Sequence, residues 1–173
     1  GVLSFPASRS DRLSIPQVAR ILLRDLRDAG VMEDQLQLYF IAHSLGGLAV
    51  KEMMLTAREN QGLRSIFEQT RGIFFISTPT SGSEAAEFIS NKIPKLATGR
   101  LMADLKTIGE NSFLQSLQER WDDLRRIRDK QPGIYCAYET KSTHGLMVVP
   151  QQYAEKFCDE APEALKVAVL LFF

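Results

Sequence analysis

The chain has 173 residues, of which 45% are hydrophobic and 24% charged, and its 21 basic residues balance its 21 acidic ones. This length accommodates one domain and is too short for two ordinary ones. Because the net charge is zero, no overall field attracts nucleic acid or an acidic membrane, and no signal peptide or bilayer-length apolar run is evident. We therefore expect a globular domain without a nucleic-acid partner or a transmembrane segment.

The hydrophobic pattern alternates between short strand-like runs and longer helix-like stretches. Apolar runs predict strands at 2–5, 36–42, 72–77, 134–138 and 166–173. Helical periodicity predicts helices at 15–29, 45–59, 84–89, 101–105, 111–128 and 151–158. Ser14 is the expected N-cap of the first helix, and Gly30 is expected just past its end. This alternation predicts an α/β fold with a mostly parallel sheet.

The two cysteines show no spacing that is typical of a disulfide framework or a metal site. Cys136 lies within a predicted strand, and we interpret it as a small buried hydrophobic residue. Unpaired cysteines favour a reducing compartment, so the predicted location is cytoplasmic, with peripheral membrane association left open. No metal or organic cofactor is predicted.

Both ends of the sequence suggest an incomplete domain. The first residue is Gly1 rather than methionine, and the apolar run 167–173 ends without a cap or a turn. We therefore expect residues 1–173 to form a single, partial domain.

Ser44 lies between the predicted strand 36–42 and the predicted helix 45–59. A sharp strand-to-helix turn exposes a serine hydroxyl at the carboxyl edge of a sheet, and it needs small residues on both sides. Ala42 and Gly46 meet that need two positions before and after the serine, which favours a nucleophile elbow over a simple packing turn. A dinucleotide-binding loop is disfavoured, because no G-x-G-x-x-G follows the first predicted strand.

The segments FIAHSLGGLAVKEMM, GIFFISTPTSGSEAAEF and IYCAYETKSTHGLMVVP occur in this order along the chain. Together they resemble the α/β-hydrolase superfamily of serine esterases and lipase-like domains. The similarity is greatest to the branch containing the DUF676, serine-active-site-containing and GPI inositol-deacylase-like proteins. The resemblance implies a partial α/β-hydrolase-type fold, with helices on both faces of a mostly parallel sheet. It also implies that the strand at 2–5 is the fourth of the family and that the third, central strand is missing.

The resemblance implies a catalytic role for several residues. Ser44 corresponds to the nucleophile, the backbone N–H of Leu45 to one oxyanion donor, and Glu139 to the acid that orients the base. His144 is either the base or an ordinary polar loop residue, because the family histidine follows a further strand. His43 precedes the serine and is expected to support the turn. Thr80 stands where many relatives carry histidine.

Two functions follow from the resemblance. The first is hydrolysis of a carboxylic ester, such as the acyl ester of a lipid or small molecule, through an acyl-enzyme on Ser44. The alternative is a catalytically inactive, hydrolase-like interaction module within a larger signalling or NTPase-fused protein. A histidine and an oxyanion loop supplied by a longer natural chain would discriminate between them.

Overall fold

The computed structural model of the protein describes residues 13–33, 36–78, 113–127, 131–139 and 158–159, and the backbone of 163–165. Its helices are α1 (Ile15–Asp28), α2 (Leu45–Glu59), α3 (Arg64–Gln69) and α4 (Phe113–Arg126), with a 3₁₀ turn at Gln61–Leu63. Its strands are β1 (Leu38–His43), β2 (Thr70–Ile76), β3 (Gly133–Glu139) and β4 (Glu163–Leu165). The predicted elements at 2–5, 84–89, 101–105, 151–157 and 166–173 lie outside the described residues.

The four strands form one parallel sheet in the order β1-β2-β3-β4. Helix α2 follows β1, and α4 precedes β3, as the predicted alternation requires. In a parallel sheet all strands end at the same edge, so the residues that follow β1, β2 and β3 are brought to one side of the molecule. The predicted α/β class with a parallel sheet is confirmed.

Local signals define the ends of α1. The Ser14 hydroxyl accepts from the Gln17 N–H at 3.3 Å, and the Gln17 side chain accepts from the Ser14 N–H at 2.8 Å, which makes a capping box. At the other end Gly30 adopts φ 75° and donates to the Arg27 carbonyl at 2.9 Å. Glycine tolerates this left-handed conformation, so the helix ends where the sequence predicts.

The core lies between one face of the sheet and α2. Helix α2 packs against α1, α3, α4 and β1, and most of its length is buried. The inward-facing strand residues include Ala42, Ile73, Phe75, Ile134 and Cys136. On the opposite face four apolar side chains remain 40% to 76% exposed, namely Tyr39, Ile41, Phe74 and Tyr135.

The prediction that the two cysteines stay unpaired is wrong. Cys136 of β3 and Cys158 form a disulfide whose Cα atoms lie 5.7 Å apart. The next residue, Asp159, donates its N–H to the Ile134 carbonyl at 2.9 Å and accepts from the Ile134 N–H at 2.7 Å. These bonds hold Cys158 beside β3, so tertiary structure rather than sequence spacing brings the two sulfurs together. Cys136 is buried as predicted, and Cys158 is not part of a helix.

Candidate active site

Ser44 occupies the turn between β1 and α2 in an unusual backbone conformation. Its φ is 51° and its ψ is −130°, outside the regions that a non-glycine residue normally adopts. Its N–H donates to the Ile76 carbonyl of β2 at 2.9 Å, so the β1 ladder extends to the serine itself. The turn is therefore held from the neighbouring strand, and helix α2 begins at the very next residue.

A serine with a positive φ also follows the end of β2. His43 pairs with Ile76, so Ser44 and Ser77 follow their strands at the same level of the sheet. Ser77 also has a positive φ, 46°, and its N–H donates to the Ala137 carbonyl of β3 at 2.8 Å. Two adjacent strands are thus each followed by a serine with a positive φ, whose N–H donates to the next strand.

Beyond Ser77, the chain packs against the first turn of α2. A Cβ atom added to Gly47 would lie 2.8 Å from the Thr78 Cβ and still closer to its Oγ1 and Cγ2 atoms. No side chain fits there, so Thr78 requires glycine at position 47. At Gly46 an added Cβ meets no atom within 4 Å beyond its own helix and chain neighbours, within the described part of the chain. The expected steric need for a small residue at Gly46 is therefore unsupported, and the constraint lies one residue later.

The remaining predicted site residues are only partly described. Leu45 is the first residue of α2, where backbone N–H groups have no intrahelical acceptor. Glu139 ends β3, two residues beyond the Ala137–Ile76 pair, but its side chain lies outside the described residues. His144 and Thr80 also lie outside them. The alternation along β1 places His43 on the sheet face opposite Ala42.

A lysine of helix α2 is buried against two aromatic rings. Lys51 is 1% exposed, and its Nζ atom lies 5.6 Å from the ring centroids of both Phe75 and Trp121. Burial lowers the pKa of Lys51 to about 7, and the negative charge of Asp122 opposes this shift. Sequence analysis missed this residue, because a single lysine on a helix is normally solvated.

An arginine connects α2 to α4. Arg120 donates to Glu52 Oε2 at 3.0 Å and to Glu59 Oε2 at 2.8 Å. Burial raises the pKa of Glu52, and the Arg120 guanidinium acts in the opposite direction. Because Glu52 is almost fully buried, this ion pair is needed to compensate its charge.

Comparison with known proteins identifies relatives that the chain matches over part of their length. The chain is 34% identical over 154 residues to the human SERAC1 protein and 36% identical over 155 residues to the zebrafish (Danio rerio) SERAC1 protein. Each match covers 84% of this chain and 22% of the SERAC1 protein, so the chain spans about a fifth of the length of these relatives. No protein-family model matches the sequence.

The structure is also similar to a crystal structure of the Bacillus licheniformis lipase BlEst2. The TM-score is 0.56 at 10% sequence identity, and the match covers 87% of this chain and 66% of the lipase. At this identity the similarity concerns the fold alone, and it supports the α/β-hydrolase fold that the motifs imply. Among the described residues, no helix is long and apolar enough to cross a membrane.

Proposed function

We propose that this chain is a serine hydrolase domain, because it is 34% identical to a segment of the bovine SERAC1 protein and shares the fold of a bacterial lipase. In this proposal the Ser44 hydroxyl attacks the carbonyl carbon of a carboxylic ester. The alcohol leaves, an acyl-enzyme remains on Ser44, and water then releases the acid. A lipid acyl ester is the proposed substrate class, because the structural neighbour is a lipase.

The backbone of Ser44 is the observation that carries the proposal. A φ of 51° with a ψ of −130° in a non-glycine residue costs on the order of 1–3 kcal/mol. Such strain persists only where the surrounding structure enforces it, and it is concentrated at functional sites. The serine of a nucleophile elbow has this kind of strained strand-to-helix turn.

The first turn of α2 supports the same chemistry. The N-terminus of a helix carries partial positive charge, which favours a developing oxyanion. The Leu45 N–H is the proposed oxyanion donor, because it directly follows the nucleophile. The Gly47 N–H is already used, since it donates to the Ser44 carbonyl at 3.0 Å.

The acid and the base of the proposed triad are Glu139 and His144. Glu139 ends β3 at the sheet edge where Ser44 follows β1, with β2 between them. This position at the end of β3 supports Glu139 as the acid of the proposal, because β1 and β3 end at the same edge of the sheet. His144 is the proposed base, since it follows Glu139 by five residues and His43 belongs to β1.

Labelling with a fluorophosphonate tests the proposal, because these probes react with activated serines. We expect the folded chain to be labelled, Ser44→Ala to lose the label, and His144→Asn and Glu139→Gln to react much more slowly. Ser65→Ala is a matched control, because Ser65 lies in α3 away from the elbow. A folded chain that does not react would refute the proposal and favour the non-catalytic interaction module.

A further inference from the structure

We propose that Thr78 is a positioning residue for Ser44, acting through Gly47. The Thr78 side chain occupies the space where a side chain of residue 47 would lie. This role rests on the proposed function, because Ser44 is the proposed nucleophile. The close approach of Thr78 to Gly47 is present whether or not Ser44 is reactive.

The contact reaches Ser44 through a backbone hydrogen bond. The Gly47 N–H donates to the Ser44 carbonyl at 3.0 Å and so closes the first turn of α2 on the serine. A displacement of Gly47 therefore moves the Ser44 carbonyl, and with it the φ and ψ angles that set the hydroxyl direction. The contact between Thr78 and Gly47 and the hydrogen bond between Gly47 and Ser44 are the only two steps that connect Thr78 to the serine in this proposal.

Thr78 is buried at the end of β2. It is 1% exposed, and its Oγ1 donates to the Ile76 carbonyl at 3.5 Å. The preceding Ser77 donates its N–H to the Ala137 carbonyl at 2.8 Å, which fixes the end of β2 to β3. Through Thr78, the first turn of α2 is therefore positioned against the end of β2, which is itself bonded to β3.

Removing the Thr78 side chain, and then adding a methyl group at position 47, tests the inference. Thr78→Gly empties the space, and the double variant Thr78→Gly/Gly47→Ala refills part of it from the α2 side. Thr70→Gly is the matched control, because Thr70 is a buried threonine at the opposite end of β2, where its Oγ1 donates to the Ile66 carbonyl at 2.7 Å. Thr78→Gly and Thr70→Gly each remove a buried threonine side chain, but only Thr78 lies beside the turn between β1 and α2.

Two quantities are measured on folded protein, well below the unfolding temperature. The first is the rate of Ser44 labelling by a small fluorophosphonate, and the second is amide hydrogen exchange in peptides covering residues 44–48. We expect Thr78→Gly to be labelled about 10- to 100-fold more slowly, since small misplacements of reacting groups cost rates of this order. Its elbow amides should exchange faster, the double variant should recover both quantities, and Thr70→Gly should change neither.

The inference is overturned if Thr78→Gly and Thr70→Gly behave alike in both measurements. Should Thr78→Gly fail to fold, Thr78→Ala replaces it with the same criteria. If the unmodified chain is not labelled at all, the proposed function fails, and hydrogen exchange alone then decides whether Thr78 positions the turn. The failure of one proposal is therefore distinguishable from the failure of the other.

Discussion

Replacing Lys51 with methionine is expected to stabilise the fold, by an amount that depends on pH. Burial lowers the pKa of Lys51 from its ordinary value of 10.5 to about 7. At ~1.4 kcal/mol for each tenfold change in the proton equilibrium, this difference corresponds to about 5 kcal/mol. Methionine has a similar length, carries no charge and suits an irregular space between aromatic rings.

The pH dependence follows from proton binding in the two states. Between pH 7 and 10.5 the unfolded chain keeps the Lys51 proton while the folded protein has lost it. The contribution of Lys51 to the free energy of unfolding should therefore become more favourable as the pH rises across this window. The advantage of Lys51→Met should be about 5 kcal/mol below pH 7 and should vanish near pH 10.5.

Urea unfolding of both proteins at several pH values between 6 and 10.5 measures this difference. Other groups titrate in the same range, but they are common to both proteins and cancel in the comparison. A difference that stays constant over the whole range would refute the reasoning, because Lys51 would then keep its proton in the folded state.

Three further changes have expected outcomes. Ser44→Gly should abolish labelling and yet be about 1 kcal/mol more stable than Ser44→Ala in urea unfolding, because glycine relieves the positive φ; equal stabilities would show that the turn is unstrained. Reduction of the Cys136–Cys158 disulfide, which closes a loop of sequence separation 22, should lower the unfolding free energy by about 3 kcal/mol. A Cys136→Ala/Cys158→Ala variant should show no further loss in reductant, and a loss there would assign the effect to another cause. Arg120→Met should cost about 1–3 kcal/mol at pH 7, because it leaves the buried Glu52 carboxylate without its cationic partner and with the Thr56 hydroxyl at 3.4 Å as a donor. Since burial raises the pKa of Glu52, this cost should shrink as the pH is lowered and the carboxylate takes up a proton, and a pH-independent cost would contradict the explanation.

Features with local causes were predictable from the sequence. The capping box at Ser14 and the end of α1 at Gly30 depend on residues within one helical turn. The bounds of α2 agree with the predicted 45–59, because helix formers begin directly after the serine. Strands β1, β2 and β3 were found with their ends displaced by one or two residues, since apolar runs do not show where pairing stops, whereas β4 was not predicted.

Features that depend on tertiary contacts were not predictable. Helix α3 has six residues, too few to establish a helical period. The Cys136–Cys158 bond depends on how Asp159 pairs with β3. The steric constraint fell on Gly47 rather than Gly46, because only the fold brings Thr78 to the first turn of α2.

Helix α2 concentrates several unfavourable features in one element. It begins after a strained serine, and it buries a lysine and a glutamate side by side at positions 51 and 52. The strained serine and the buried lysine each lower stability, and the buried charge of Glu52 depends on its ion pair with Arg120. Conflicts between local rules and the global fold are expected at functional sites, where stability is sacrificed. Among the described helices these features lie on α2 and at its start, rather than on α1 or α4, which supports a function for the turn at Ser44 independently of any resemblance.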